Sequence, residues 1–126
     1  MKELTKVEEQ IMIVLWKIHS GCVNDIISKI NEPKPKYTTI STIVRILEDK
    51  GFVSHKKKGR AHIYYPLIDK KSYAYFLLNN LSSTYFGSSM RQMMVFSLRE
   101  KKISVSELEE LRNIINDEIN NQNTSN

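Results

Sequence analysis

The spacing of the apolar residues changes twice along this chain, and these changes restrict the fold more than any other feature. Up to Gly51 the apolar side chains recur every three or four residues, as they do on amphipathic helices. Residues 52–55 and 61–65 have the pattern of two short strands, joined by a basic loop at 56–60. From Asp69 the helical spacing returns. The sequence therefore predicts a mostly α fold with a small β-hairpin.

Three helices are predicted before the hairpin. The first begins at a capping box, Thr5–Glu8, and ends at Gly21. Its apolar residues extend over more than one side, so we expect it to be covered on more than one side. The second helix covers about Val23–Ile30, and two prolines mark the turn that follows. The third covers about Thr38–Lys50, with Ile40, Ile43, Val44 and Leu47 pointing inward.

Three more helices are predicted after the hairpin. They cover residues 69–86, then 90–98 after a Gly-Ser-Ser break, then a last helix from a capping box at Ser106–Glu109 to about Asn120. The polar residues 121–126 are expected to fray. The last helix has an apolar stripe with little in its own chain to cover it, which favours a dimer interface. The predicted dimerisation residues are Leu77, Leu81, Met94, Leu108, Leu111 and Ile115.

The positive charge is confined to the first half of the chain. The net charge of the chain is +5, and residues 1–68 hold 12 Lys and Arg against 7 Asp and Glu, whereas residues 69–126 hold 7 of each. The excess is densest between Lys34 and His62. A localised basic patch indicates a polyanionic partner, with nucleic acid first. On charge alone, an ordinary solvated basic surface is an equally good interpretation.

The order of the elements adds to this argument. Three helices followed by a basic hairpin is the order of a winged helix-turn-helix, here residues 1–68, followed by a helical dimerisation region, 69–126. The third helix would read DNA with Thr38, Thr39, Ser41, Thr42 and Arg45. The wing and its flank would bind phosphates with Lys36, Lys56, Lys57, Lys58 and Arg60. Each residue alone fits an ordinary polar surface, but the ordered set favours DNA binding.

Other classes of protein find little support in the sequence. No Ser/His/Asp set, paired carboxylate or phosphate-binding glycine loop is present, so no enzyme is predicted. One cysteine, Cys22, and three histidines without ligand spacing predict neither a metal site nor a cofactor. No apolar run approaches the roughly 20 residues of a membrane span, so we expect no membrane insertion and a cytoplasmic location.

The motifs resemble those of a known family. Leu4–Glu8 with Leu15–Trp16, the segment Val23–Ile26, and Tyr37–Ile43 are similar to three helices of the penicillinase repressors, the BlaI/MecI/CopY family. The helix end and the wing resemble the family at Lys50–Val53 and Arg60–Leu67, and the last helix resembles it at Glu107–Leu111. The resemblance covers about residues 4–119.

The resemblance implies a homodimeric repressor on a palindromic operator, in β-lactamase-type resistance or related gene control. It also implies a membrane sensor protease that signals a β-lactam, and cleavage of the repressor at an Asn-Phe step, but the stretch Met94–Leu98 has no such step. The paired cysteines of the copper-responsive branch are absent. The family usually has an arginine where this chain has Ile46, which could face either the first helices or the DNA.

Two alternatives stay open from the sequence. One is a ligand-sensing winged-helix regulator with a pocket under the methionine-rich segment Met90–Met94, although such methionines are more often flexible packing in a core or interface. The other is a protein-interaction module that does not bind DNA.

Overall fold

The computed structural model describes residues 1–125 and has the predicted order of elements: three helices, a hairpin and three helices. The first helices are α1 (Lys6–Ile18), α2 (Val23–Ser28) and α3 (Tyr37–Asp49). The hairpin consists of β1 (Val53–Lys58) and β2 (Ala61–Pro66). The last helices are α4 (Lys70–Tyr85), α5 (Met90–Glu100) and α6 (Val105–Thr124). The predicted fold class, a mostly helical chain with one small hairpin, is confirmed.

The chain forms two compact units, Met1–Asn80 and Leu81–Asn126. This division falls inside α4, whereas the sequence places the boundary after residue 68. The first half of α4 belongs with the first unit because Tyr73, Phe76 and Leu77 pack against its core.

The core of the first unit takes one face from each of its helices and the base of the hairpin. The inward face of α3 is as predicted, with Ile40, Val44 and Leu47 buried. The side chains that are almost completely buried are Ile11, Met12, Leu15, Ile26, Ile40, Val44, Leu47, Phe52 and Val53. Burial of this apolar surface is what holds three short helices together, since none is long enough to be stable alone.

Three polar contacts connect the segments that surround this core. The backbone N–H of Leu4 donates to the Tyr73 hydroxyl at 2.8 Å, and the Trp16 indole N–H donates to the Ile68 carbonyl at 2.9 Å. The Lys50 ammonium lies 2.7 Å from the Glu8 carboxylate, which is only 3% exposed. These contacts join α1 to α3 and to the start of α4.

The end of α1 differs from the prediction. The helix stops at Ile18 because His19 takes a positive φ of 70°, and Gly21 is used differently. Gly21 exchanges two backbone hydrogen bonds with Tyr64 of β2. A Cβ on Gly21 would lie 2.9 Å from side-chain carbons of Asp25 and Ile18, so the bridge needs a glycine there.

The hairpin is longer than predicted, and the predicted five-residue loop is wrong. Lys56, Lys57 and Lys58 continue β1 and pair with Ile63, His62 and Ala61. Only Gly59 and Arg60 lie outside the strands, and Gly59 has a φ of +64°. A two-residue turn with a glycine at positive φ matches the twist of paired strands, so pairing continues to the tip although β1 ends in three lysines.

In the second unit, the predicted break before α5 is confirmed by a Ser89 N-cap, whose hydroxyl accepts from the Gln92 N–H at 3.1 Å. The predicted capping box at Ser106 is wrong, because α6 begins earlier, with the Ser104 hydroxyl accepting from the Glu107 N–H at 3.1 Å. Residues 121–124 continue α6 instead of fraying, and residue 126 lies outside the described residues. No residue of α6 is buried.

None of the helices within residues 1–125 is both long and apolar enough to cross a membrane.

Candidate nucleic-acid interface

The outward side of α3 carries short polar side chains. Thr38, Thr39 and Thr42 are exposed, and Ser41 is partly buried. The Thr42 hydroxyl donates to the Thr38 carbonyl at 2.9 Å, so its proton is used inside the helix. Across residues 1–125 the hydroxyls of Thr38 and Thr39 make no hydrogen bond, and they are the ones in α3 best placed to contact a base or phosphate.

Arg45 is exposed on the same helix, but its side chain also interacts with the wing. Burial raises the pKa of the Tyr64 hydroxyl above its ordinary value of 10.0, and the Glu48 carboxylate raises it further. The positive charge of the Arg45 guanidinium acts in the opposite direction and lowers the pKa of Tyr64. Because a guanidinium has five N–H donors, Arg45 can influence Tyr64 electrostatically and still donate hydrogen bonds to DNA.

The wing presents its cations on exposed strand positions and at its tip. Lys57, Lys58 and Arg60 are exposed, and none of them makes an ion pair within the part of the chain that the structure describes. The Lys56 ammonium lies 5.7 Å from the centre of the Tyr65 ring, a cation–π distance. Lys36, immediately before α3, is also exposed.

Two lysines in the basic stretch have structural roles. The Lys50 ammonium is paired with Glu8, and the Lys34 ammonium donates to the carbonyls of Ile27, Ser28 and Ile30 near the end of α2. Sequence reasoning counted both in the basic patch but did not include them among the DNA-binding residues. The remaining cations between residues 34 and 62 are the six that the sequence assigned to DNA.

A small polar cleft of about 190 Å³ lies where α3 and the wing meet. It brings together Ser41 and Arg60, both predicted site residues, with Tyr37, Asn24 and His62. The sequence did not single out Tyr37 and Asn24 as site residues. Tyr37 begins α3 one residue before the predicted start, and it also begins the motif Tyr37–Ile43 that resembles the family. That motif is the signal that could have included it.

An ion pair and a ring stack connect the end of α3 to the wing. The Nδ1 atom of His55 lies 2.6 Å from a carboxylate oxygen of Glu48. The His55 and His62 rings are stacked with centroids 4.4 Å apart and an angle of 9° between their planes. These contacts fix the wing relative to α3, so the two predicted DNA-contacting elements form one surface.

Ile46 is 41% exposed and does not pack against the core of the first unit. Of the two orientations left open by the sequence, the structure has the outward one. Ile46 therefore places an apolar side chain on the outward side of α3.

The predicted dimerisation residues do not lie in one kind of environment. Leu77 packs partly against the core of the first unit. Leu81, Met94, Leu108 and Ile115 are exposed, and Leu111 is partly buried.

Within residues 1–125, no group of three or more His, Cys, Asp or Glu side chains is arranged to hold a metal.

The penicillinase repressor family model matches residues 4–117. The methicillin resistance regulatory protein MecI of Staphylococcus aureus strain N315 is 29% identical over 117 residues, covering 90% of this chain and 94% of its own. The penicillinase repressor of Bacillus licheniformis is 27% identical over 121 residues, covering 94% of this chain and 93% of its own.

Among solved structures, the DNA-binding domain of the repressor BlaI is 32% identical, with a TM-score of 0.49, and the match covers 58% of this chain and 94% of that domain. Monomeric Bacillus licheniformis BlaI in complex with the blaP half-operator is also 32% identical, with a TM-score of 0.48, covering 57% of this chain and 89% of that one. Since the family model spans most of the chain, the protein belongs to the penicillinase repressor family, whose members are DNA-binding transcriptional repressors and not enzymes.

Proposed function

We propose that this DNA-binding repressor acts as a cytoplasmic homodimer, and that it binds a palindromic operator to block transcription of β-lactam resistance or related genes. The observation that carries the proposal is the continuous surface formed by the outward side of α3 and the wing. Exposed hydroxyls and a guanidinium lie on α3, and lysine and arginine side chains without an ion pair in residues 1–125 lie on the wing. Such a surface combines base-reading groups with phosphate-binding groups.

Different residues of this surface have different proposed roles. Thr38, Thr39, Ser41 and Arg45 contact bases or adjacent phosphates in the major groove, whereas the Thr42 hydroxyl proton is donated to the Thr38 carbonyl. The exposed cations Lys36, Lys56, Lys57, Lys58 and Arg60 bind phosphates without reading sequence. Loss of a wing lysine should therefore weaken binding to all DNA, whereas loss of a helix residue should change sequence preference.

The homodimer is supported by the second unit. Within it, Leu81, Met94, Leu108 and Ile115 expose large apolar side chains, and no residue of α6 is buried by the chain itself. A second copy of the same helices would cover these side chains and place two α3 helices for two operator half-sites. We assign Leu77 a smaller part in the dimer because it already packs against the core of the first unit.

Control by a membrane sensor protease is the part of the proposal that rests on the family alone. The stretch Met94–Leu98 lies inside α5, and a protease would need α5 to unfold locally before it could bind the chain. Immunoblots of cells before and after exposure to a β-lactam test this. A fragment cut near residues 94–98 supports the protease, whereas derepression with the chain intact contradicts it.

The first test of DNA binding is a mobility-shift experiment with the purified full chain. The probe is the DNA upstream of its own gene, with excess random DNA as competitor, at two salt concentrations. A shift that survives the competitor, with two chains per duplex, supports the proposed repressor. A shift removed by random DNA at both salt concentrations contradicts sequence-specific binding.

A further inference from the structure

The first unit contains a larger cavity that the DNA-binding proposal does not use. It is a groove of about 670 Å³ between α1, the segment 29–35 and the first turn of α3. Eight of its fourteen lining residues are aliphatic or proline. The volume falls in the range of small-molecule sites in proteins, about 300–1,000 Å³.

The floor of the groove is apolar and partly open to solvent. Val14 and Ile40, both buried, form its base between α1 and α3. Val7 and Ile13 on α1 also line it and are 38% and 41% exposed. The sequence predicts that α1 is covered on more than one side. In the structure, the side of α1 that carries Val7 and Ile13 is left uncovered along the groove.

The wall formed by residues 31–35 is held in place by Lys34. The Lys34 ammonium donates to three carbonyls near the end of α2, at 3.2 Å for Ile27 and 3.1 Å for Ser28, with Ile30 as the third. The Lys34 backbone N–H donates to the Glu32 carboxylate at 3.1 Å. The groove is therefore preformed, which reduces the entropy that a ligand must overcome on binding.

The charge at the rim of the groove is positive. Lys17 and Lys29 line it, are exposed, and make no ion pair within residues 1–125. The one acidic lining residue, Glu32, already accepts the Lys34 N–H. An apolar floor between two unpaired ammonium groups is complementary to a molecule with an apolar body and a negative head group.

We propose that this groove binds a small amphipathic anion, such as a molecule with a hydrocarbon body and a carboxylate. We also propose that this binding lowers the affinity of the protein for its operator. The second part rests on the proposed function, because Thr39 lines the groove and is also a proposed DNA-contacting residue. A ligand against the first turn of α3 competes with DNA for that residue or shifts the turn.

Decanoate, below the concentration at which it forms micelles, is a suitable probe for NMR titration of the isotope-labelled full chain without DNA. We expect saturable shifts at the amides of Gln10, Ile13 and Thr39. Decanol and decyltrimethylammonium have neutral and positive heads on a hydrocarbon chain one carbon longer, and both should still bind more weakly. Equal binding of all three, or shifts confined to residues 81–125, would overturn the site.

The double variant Lys17→Ala/Lys29→Ala should weaken decanoate binding about three- to tenfold, the effect of losing two exposed charge contacts. Lys70→Ala/Lys71→Ala removes the same charge from exposed positions outside the groove and should leave the affinity unchanged. Equal losses of affinity in the two double variants would show only a general charge effect. They would contradict the proposal that Lys17 and Lys29 bind the negative head group.

The regulatory part is tested by repeating the operator shift over a series of decanoate concentrations. A fall in operator affinity that needs a higher decanoate concentration in Lys17→Ala/Lys29→Ala supports it, and an affinity that decanoate leaves unchanged overturns it. Failure of the proposed function would be visible separately, as no specific shift even without decanoate.

Discussion

Lys50 and Lys57 have identical side chains, and their surroundings give them different roles. Lys50 is bonded to a carboxylate that is almost completely buried, whereas Lys57 extends from the wing into solvent. Replacing the first should therefore affect the stability of the fold, and replacing the second should affect binding. Sequence alone shows two lysines in one basic stretch and does not distinguish them.

Lys50→Met should lower the free energy of unfolding by about 1–3 kcal/mol at pH 7, because it leaves the Glu8 carboxylate buried with one fewer partner. Burial raises the pKa of Glu8, but hydrogen bonds from Lys50 and Thr5 outweigh it and hold the pKa below the ordinary 4.5. The stabilisation is thus complete above pH 4.5 and is lost as the pH falls through the lowered pKa.

Urea unfolding at pH 7 and at pH 3 measures this effect. The difference between Lys50→Met and the unchanged chain should shrink at the lower pH. Lys2→Met removes an exposed lysine that has no ion pair within residues 1–125, and it should have little effect at either pH. A destabilisation by Lys50→Met that is the same at both pH values would contradict the role of the ion pair.

Lys57→Ala should weaken binding to operator and random DNA by the same factor, because its ammonium is proposed to contact a phosphate. The slope of log affinity against log salt should fall by about one unit. Fluorescence anisotropy across a salt series measures both quantities, with Lys2→Ala as the control. An unchanged slope would show that the wing does not lie on the DNA backbone.

Thr39→Val and Thr42→Val form a matched pair, since valine keeps the β-branched shape and removes only the hydroxyl. Thr39→Val should reduce discrimination between operator and random DNA by about tenfold, the lower end of the range for a base contact. Thr42→Val should change it little, because that hydroxyl is already bonded to the Thr38 carbonyl. Equal losses on operator and random DNA for Thr39→Val would count against its reading role.

At the scale of elements, the start of α6 gives a direct test of where the helix begins. Ser104→Ala should destabilise α6 by about 0.5–2 kcal/mol, because the Ser104 hydroxyl accepts the Glu107 N–H. Ser106→Ala should have almost no effect. Thermal unfolding followed by circular dichroism distinguishes them, and a larger effect of Ser106→Ala would restore the start predicted from sequence.

The types and order of the elements followed from sequence because each has a strong local pattern. The buried stripe of α3 is an example, with Ile40, Val44 and Leu47 at helical spacing. Element ends were less predictable because they depend on contacts between distant residues. Gly21 looked like a helix stop, but it pairs with Tyr64 of β2, and the helix ends earlier at His19. Local periodicity contains no information on such pairings.

The candidate interface was likewise predictable only where local sequence patterns determine it. The positions of α3 and the hairpin in the chain were predictable, because hydroxyls opposite an apolar stripe and a run of cations are visible in sequence. Their contacts with DNA stay a prediction. The cleft with Tyr37 and Asn24, and the electrostatic effect of Arg45 on Tyr64, were not predictable. They arise from packing of α2, α3 and β2 in three dimensions.

At the scale of the whole molecule, the two units pose different energetic problems. The first buries a core between its own helices and hairpin, although Val7, Ile13 and Ile46 stay exposed. The second exposes large apolar side chains along α5 and α6, including Met94, Phe96 and Ile115. Exposed apolar surface of this kind is costly in water and typical of protein interfaces. A dimer would remove that cost and also bring together two DNA-binding surfaces, so stability and operator recognition would depend on the same contact.

Ile115→Glu tests this coupling. Ile115 is 48% exposed on the apolar side of α6, so the monomer should fold normally, while the proposed dimer would bury an unpaired charge. Asn113→Glu adds the same charge on the opposite side of the helix and serves as the matched control. Sedimentation velocity should show a monomer for Ile115→Glu and a dimer for Asn113→Glu.

DNA binding by the same two variants completes the test. On a full palindrome, the affinity of Ile115→Glu should fall at least about tenfold, because two separate chains no longer bind the two half-sites as one linked dimer. On a single half-site it should bind as well as the unchanged chain, since the α3 and wing residues are intact. Full-palindrome affinity that survives in a proven monomer would mean that one winged helix is sufficient for recognition. The apolar side of α6 would then have to serve a different partner.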